Sequence, residues 1–309
     1  MLSEKTLEEA RRFGAGRILL QVPEGLKVKA QQIADELEDL GAEVFIGCDP
    51  CFGACDLRGD EAKRLGCDLT VHVGHSDLGV KSPVPVIYEH YPLKADVGGA
   101  LEKGVKMLEP FKKIGLVTSL QYAGTLEDVK RKLERHGFEI HMRKSKTSGV
   151  PGQILGCEHS AALDMEKAVD CFLFAGSGRF HPLGLASVTE KPVFFLDVER
   201  GRLEDLREEL KKEKIRKGLR TEKARGCKSF GILVSTKPGQ ARPEEALKLK
   251  RMLEKKGKKA WIFVMDRITP EGLVGLSVDC LVNTACPRLT EDSKAFGKTV
   301  LDSDDVGSL

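Results

Sequence analysis

The stretch Arg17-Ile-Leu-Leu-Gln-Val-Pro-Glu-Gly25 is an apolar run closed by a turn, and its construction returns at Lys113-Ile-Gly-Leu-Val-Thr-Ser-Leu-Gln-Tyr122 and at Phe230-Gly-Ile-Leu-Val-Ser-Thr-Lys-Pro-Gly239. Each copy follows a charged stretch with helical character. Each is followed by apolar residues at helical spacing (28–40, 126–136 and 243–255), then by a second strand-like run: Ala42-Glu-Val-Phe-Ile-Gly47, Phe138-Glu-Ile-His-Met142 and Lys259-Ala-Trp-Ile-Phe-Val264. A third strand enters at an acidic residue in Cys67-Asp-Leu-Thr-Val-His-Val-Gly74, Val169-Asp-Cys-Phe-Leu-Phe-Ala-Gly176 and Val278-Asp-Cys-Leu-Val-Asn-Thr-Ala285. A fourth follows at Pro85-Val-Ile-Tyr88, Pro192-Val-Phe-Phe195 and Thr299-Val-Leu-Asp302.

The spacing makes this a repeat. From Val86 to Val193 to Val300 the step is 107 residues both times, and from Asp68 to Asp170 to Asp279 it is 102 and then 109. Length alone, 309 residues, would suggest about two domains. The repeat replaces that with three: an α/β chain of three small domains (1–93, 94–199 and 200–309), each a four-stranded parallel sheet flanked by helices, with strands apolar enough to be covered on both faces. The charge run 199–228, with Leu203, Leu206 and Leu210 along one side, reads as a solvated helix leading into the third repeat.

Composition excludes several functions. Fifty Lys+Arg against 47 Asp+Glu leave a net charge of +3, too small for a nucleic-acid tracker. Apolar runs such as 114–117, 171–175 and 261–265 fall far below the ~18 residues that span a bilayer, so no membrane is expected. The start, MLSEKTLEEARRF, reads as a charged amphipathic helix rather than an apolar signal, which points to the cytoplasm. Nine cysteines in a reducing compartment imply metal chemistry, redox chemistry or burial rather than disulfides.

In open parallel sheets, ligands gather at the carboxyl ends of the strands where the winding reverses. The loops there hold Cys55, Cys157 and Cys286, one from each repeat. Three thiolates at a common centre would suit a [4Fe-4S] cluster with one iron left open, since such clusters normally take four. A local alternative also stands: Cys48, Cys51 and Cys55 are close enough in sequence to hold a cluster or half a zinc site, with His72 and His75 able to fold over them. Cys67, Cys171 and Cys280 enter the third strands and read as buried side chains, and Cys227 reads as a cysteine without chemistry in a basic loop.

Four motifs, Phe52-Gly-Ala-Cys-Asp56, Gly152-Gln-Ile-Leu-Gly-Cys157, Gly178-Arg-Phe-His-Pro-Leu-Gly184 and Asn283-Thr-Ala-Cys-Pro-Arg288, occur in this order over essentially the whole chain. Together they resemble the archaeal diphthamide-biosynthesis enzymes, the 3-amino-3-carboxypropyl transferases of the first step. The resemblance implies a homodimer whose [4Fe-4S] cluster is held by Cys55, Cys157 and Cys286, with S-adenosylmethionine at the open iron. It also implies a histidine of translation elongation factor 2 as substrate, an electron donor, and radical cleavage on the methionine side of the sulfonium that releases methylthioadenosine. Phe52 stands where the family often has Tyr, so no role for that hydroxyl carries over.

The switch-point argument places Gln21, Glu24, Ser119, Gln121, Gly176, Arg179, His181, Ser235, Lys237, Gln240 and Arg288 around the cofactor. Arg179 and His181, in a glycine-rich loop that falls in a family motif, are the expected catalytic pair. Two rival readings remain at this level. One is a quinolinate synthase-like [4Fe-4S] dehydratase, also built from three repeats; the other is a non-catalytic iron-sulfur scaffold or partner subunit.

Overall fold

A computed structural model describes residues 2–291 and 293–309; Met1, the first residue of the expected N-terminal helix, lies outside them. The helix itself runs Glu4–Phe13, opened by the Ser3 side chain accepting the Thr6 N–H and closed by Gly14 at φ 58°, a left-handed turn that glycine adopts without strain. The strands are β1 Arg17–Gln21, β2 Glu43–Gly47, β3 Leu69–Val73, β4 Val86–Glu89, β5 Lys113–Thr118, β6 Glu139–His141 and β7 Cys171–Gly176. They continue as β8 Val193–Asp197, β9 Arg202–Asp205, β10 Ser229–Ser235, β11 Lys259–Met265, β12 Cys280–Asn283 and β13 Thr299–Asp302.

Three sheets result, ordered β2-β1-β3-β4, β6-β5-β7-β8-β9 and β11-β10-β12-β13, with every pairing parallel except β8–β9. The winding reverses between the first and third strands of each sheet, so the crevice at their carboxyl ends faces the loops that carry the cysteines. The expected α/β architecture is therefore present, with one addition. Arg202–Asp205, read in the sequence as the start of a helix in the third repeat, is an antiparallel edge strand of the second sheet. Leu203 packs into the second sheet's core, and only from Arg207 does the exposed helix Arg207–Arg225 begin.

Burial follows sheet position. β3, β7 and β8 are buried at every residue, whereas the edge strands β2, β6 and β11 keep exposed positions, so the second strand of each repeat is not covered on both faces as its sequence suggested. Phe172, Phe174, Phe194 and Phe195 are among the largest fully buried side chains, each stabilising the second domain by about 1.5–3 kcal/mol.

The acidic residue that marks each repeat has one structural task. Asp68 Oδ2 accepts the backbone N–H groups of Gly16 and Arg17, Asp170 Oδ2 those of Lys112 and Lys113, and Asp279 Oδ2 those of Lys228 and Ser229. Each carboxylate thus satisfies the amides where the first strand begins. These bonds hold Asp170 below the usual carboxylate range, as the Ser229 hydroxyl and backbone donors do for Asp279.

Cys67, Cys171 and Cys280 are buried as expected. Against expectation, Cys280 pairs with Cys227 in a disulfide, Cα atoms 6.2 Å apart. Adjacency explains it: Cys280 lies beside Phe230 in the β10–β12 register, and Cys227 lies just before β10.

Candidate iron-sulfur centre

Cys55 sits on the short 3-10 turn Ala54–Asp56 after β2, Cys157 on the loop after β6, and Cys286 on the loop after β12. The fold brings the three thiols into electrostatic contact. Burial pushes the Cys157 thiol up to about 11, reinforced by Cys286 and Cys55, although its surface stays open to solvent. Burial and then Cys55 raise Cys286, against the Arg288 backbone N–H that donates to its sulfur. Thiols that oppose one another's ionisation in this way make a site that a cationic group would relieve. Among the described residues, the set of three or more donors lying within 4.8 Å is Cys51, His72 and His75. The inter-repeat trio is not such a close set, and its donors are all sulfur, the ligand type that holds iron-sulfur clusters.

Cys55 is fixed mainly by the third repeat. Gly239 N–H donates to the Cys55 carbonyl at 2.8 Å, and a Cβ on Gly239 would stand 2.5 Å from the Cys55 Cα, so only glycine permits this approach. Gln240 Nε2 reaches Cys55 Sγ at 3.3 Å. Beside them the buried Lys237 ammonium pairs with the inaccessible Asp56 carboxylate, which also faces Arg58 Nε at 3.4 Å, while Arg58 Nη2 bridges to Asp266 at 2.9 Å. The loop is held from behind by Ser235, whose hydroxyl donates to the Asp266 carbonyl and accepts the Lys237 N–H.

The other two loops are anchored differently. Thr118 bridges to Gln153 in parallel fashion, and the Gln153 side chain bonds to Ser76 of the first repeat, with Nε2 donating at 2.8 Å. A Cβ on Gly156 would stand 2.1 Å from the Phe180 ring, and Arg288 lies over the same ring at 5.7 Å, so Phe180 joins the Cys157 and Cys286 loops. His181 stacks on Phe174 at 6.1 Å, and burial holds its imidazole down to about 4, helped by His159 and Arg288. In the third loop, Asn283 Nδ2 donates to the Cys286 carbonyl at 2.9 Å, and its Oδ1 accepts the Ala285 N–H.

The sequence candidates thus fall into groups. Lys237 and Gln240 adjoin Cys55, Arg288 and His181 adjoin the Cys157–Cys286 side, and Ser235 braces the loop. Gln21 is buried at the end of β1, where its Nε2 donates to the Asp56 carbonyl at 2.6 Å. Ser119 is buried just past β5; the Gln121 carbonyl accepts the Leu93 N–H; the space over Gly176 is taken by Phe174. Two candidates are committed elsewhere. The Arg179 guanidinium is paired with Glu204 and Glu209 at the edge of the second sheet, and half-exposed Glu24 pairs with Lys27 one turn along. Both are locally neutralised charges, which the loop positions alone could not reveal.

Asp56, Arg58, Gln153, Asn283 and Gly239 are further residues of the site that sequence reasoning misses. Their signal was adjacency, since Asp56 follows Cys55 and Asn283 opens the last motif, but their partners lie far away in sequence. The close triplet also divides. Cys48 is exposed, Cys51 is buried and pushed up to about 12 by that burial, and Cys55 joins the other repeats.

A family profile described as putative diphthamide synthesis protein matches residues 22–306. The chain belongs to the diphthamide synthesis family. It is 36% identical over 307 residues to a 2-(3-amino-3-carboxypropyl)histidine synthase of Pyrococcus horikoshii, covering 98% of this chain and 88% of that protein. A synthase of the same name in Methanocaldococcus jannaschii is 27% identical over 89% of this chain and 78% of its own length. The crystal structure of Dph2 from Pyrococcus horikoshii matches with a TM-score of 0.92 at 34% identity, covering 100% of this chain and 91% of that one. A structure of Dph2 from the same organism with a 4Fe-4S cluster matches with a TM-score of 0.91 at 35% identity, over 98% and 89%. The resemblance read from the four motifs is borne out, and the chain is an enzyme of diphthamide synthesis.

Proposed function

We propose that this enzyme transfers the 3-amino-3-carboxypropyl group of S-adenosylmethionine to a histidine of translation elongation factor 2, using a [4Fe-4S] cluster held by Cys55, Cys157 and Cys286. The observation that carries this reading is the meeting of one thiol from each of three repeats, in a chain 35% identical to a Dph2 whose structure contains such a cluster. When bound, the cluster supplies one electron to the sulfonium and an open iron for the methionyl amino and carboxylate groups.

The chain's own residues position and neutralise. Gln240 donates toward the Cys55 sulfur and steadies a thiolate there. Arg242, whose charge works against the rise at Cys157, and Arg288, whose charge works against the rise at Cys286, are cations near the thiols and serve as partners for the cosubstrate carboxylate. His181, neutral above about pH 4, offers a polar but uncharged wall. Arg179 keeps the role its partners give it, bracing the second sheet behind that wall. The reading includes a homodimer and a separate electron donor in the cytoplasm, with no membrane or nucleic-acid partner; among the described residues no helix is long and apolar enough to cross a membrane.

The test is product identity under strict anaerobiosis. Dithionite-reduced protein with S-adenosylmethionine should release methylthioadenosine and little 5'-deoxyadenosine, and with elongation factor 2 it should add one aminocarboxypropyl mass to a histidine. Predominant 5'-deoxyadenosine overturns the cleavage. Absence of any cleavage favours the scaffold reading, and turnover of iminoaspartate with dihydroxyacetone phosphate favours the dehydratase.

A further inference from the structure

Behind the Cys55 turn lies a second donor set that the transfer reaction does not use. Cys51, 1% exposed, and His72, fully buried on β3, meet half-buried His75 so that one donor atom from each lies within 4.8 Å of the others. His72 Nε2 stands 2.9 Å from His75 Nδ1. Two nitrogens and one sulfur on a tetrahedral zinc are separated by roughly 3.3–3.6 Å, given Zn–N of about 2.0–2.1 Å and Zn–S of about 2.3 Å, so small side-chain shifts suffice.

We propose that Cys51, His72 and His75 form a metal site distinct from the three-repeat centre, taking one divalent cation of the zinc class and leaving a fourth position to water.

The hydrogen bonds around His72 argue for this independently. Gln21 Nε2 is spent on the Asp56 carbonyl, and Gln21 Oε1 accepts the Arg58 backbone N–H at 3.3 Å, so the oxygen is the atom facing His72 Nδ1 at 3.0 Å. An oxygen can only accept, which puts the His72 proton on Nδ1 and leaves the Nε2 lone pair aimed at His75 and Cys51. A ring N–H donated to a carbonyl-type oxygen, with the other nitrogen turned inward, is the outer support that metal-binding histidines use. A thiolate with two imidazoles selects zinc-class ions over magnesium or calcium. Binding replaces the Cys51 thiol proton, now directed at the Gly53 carbonyl, and releases it to solvent; the His75 proton, which the 2.9 Å contact with the His72 Nε2 lone pair puts on Nδ1, moves to Nε2 so that Nδ1 can turn to the cation. The half-buried His75 is the side from which a cation enters. The site would pin the 48–55 loop to the end of β3 and so set where Cys55 stands.

Zinc and iron are counted by mass spectrometry in anaerobically purified full-length chain and its variants. Wild type, Cys55→Ala and Cys48→Ser should each hold about one zinc, whereas Cys51→Ser and His75→Gln should lose it; Gln21→Ala should weaken retention about 10–100-fold. Cobalt(II) added to the chelator-treated chain should give a thiolate charge-transfer band that Cys51→Ser lacks, with circular dichroism confirming that the variant is folded. Should Cys51→Ser fail to fold, the same cobalt loss in His75→Gln, altered at a half-buried side chain, decides the matter. Zinc absent from wild type, zinc retained in both Cys51→Ser and His75→Gln, or zinc lost in Cys55→Ala or Cys48→Ser overturns the proposal. None of these readouts depends on S-adenosylmethionine, so the site can fail while the transferase reading stands, and the reverse.

Discussion

Replacing Lys237 by Met tests how the first and third repeats are locked together at Cys55. Asp56 is wholly inaccessible and Lys237 only 4% exposed, so the substitution strands a carboxylate in a buried setting. Breaking a buried pair by removing one partner costs about 3–5 kcal/mol. Arg58 Nε, 3.4 Å from Asp56 Oδ1, retains part of the compensation and places the expectation near the lower end, about 3 kcal/mol. At about 2–4 °C per kcal/mol, that lowers Tm by roughly 6–12 °C. Burial already raises Asp56 above the usual carboxylate value of 3.8, so its contribution is fully present below that value and is lost as pH rises from it through the folded value. Loss of Lys237 raises that value further, and the penalty of Lys237→Met should shrink on acidification. Asp56→Asn combined with Lys237→Met removes the charge and should recover most of the loss. Urea unfolding of wild type, both single variants and the double variant at several pH values gives the coupling directly. A Lys237→Met loss below about 0.5 kcal/mol, or a double variant as unstable as the single, refutes the reasoning.

Three further outcomes are expected. Cys157→Ala should lose most bound iron, whereas Cys171→Ala, on a thiol buried in β7, should keep it at some cost in stability; iron analysis after anaerobic purification decides between them. His181 is held down to about 4 from an ordinary 6.5, so it contributes stability above pH 6.5 that is lost as pH falls toward 4, about 3 kcal/mol in all. His181→Phe should flatten the stability curve in that window, and an unchanged slope would contradict the assignment. Gly239→Ala places a Cβ 2.5 Å from the Cys55 Cα, and overpacking against backbone should cost about 1–3 kcal/mol and speed iron loss to a chelator, measured as the rate of bleaching.

Where the sequence was informative, one residue type at one spacing answered one physical need. Asp68, Asp170 and Asp279 recur because each first strand begins with two amides that lack a ladder partner, and the repeat of that carboxylate announced three sheets before any strand was placed. Cys55, Cys157 and Cys286 stand out for a related reason: thiols on carboxyl-end loops of three similar sheets have few places to meet other than a shared centre, and Cys55 and Cys286 do lie close enough to Cys157 to raise it. Charge partners were not legible. Arg179 stands in a glycine-rich loop suited to a cofactor, yet its two carboxylates come from β9 and the helix after it, a segment whose pairing with β8 has no periodic signature in a run of alternating charges. Lys237 reads equally well as an exposed loop lysine until Asp56, 181 positions away, is placed against it.

The departures from threefold symmetry explain how three similar units make one asymmetric site. Cys55 and Cys157 follow second strands, but Cys286 follows a third; in the third repeat the loop after the second strand carries Asp266 instead. That carboxylate pairs with Arg58, so the position that elsewhere leads to a thiol here ties the third repeat to the Cys55 loop. The third repeat then approaches Cys55 from a further loop, through Gly239 and Gln240, while the second and third meet through Phe180 and Arg288. Each pair of repeats is joined beside a cysteine and by a different chemistry: a buried ion network, an aromatic ring under a guanidinium, and the amide of Gln153 on Ser76. A symmetric set of contacts would present three equivalent walls to the space between the cysteines. Unequal ones surround whatever group the three cysteines hold with a different wall on each side, a buried ion network, an aromatic ring under a guanidinium and a neutral amide, so a molecule that meets that group is held in one orientation.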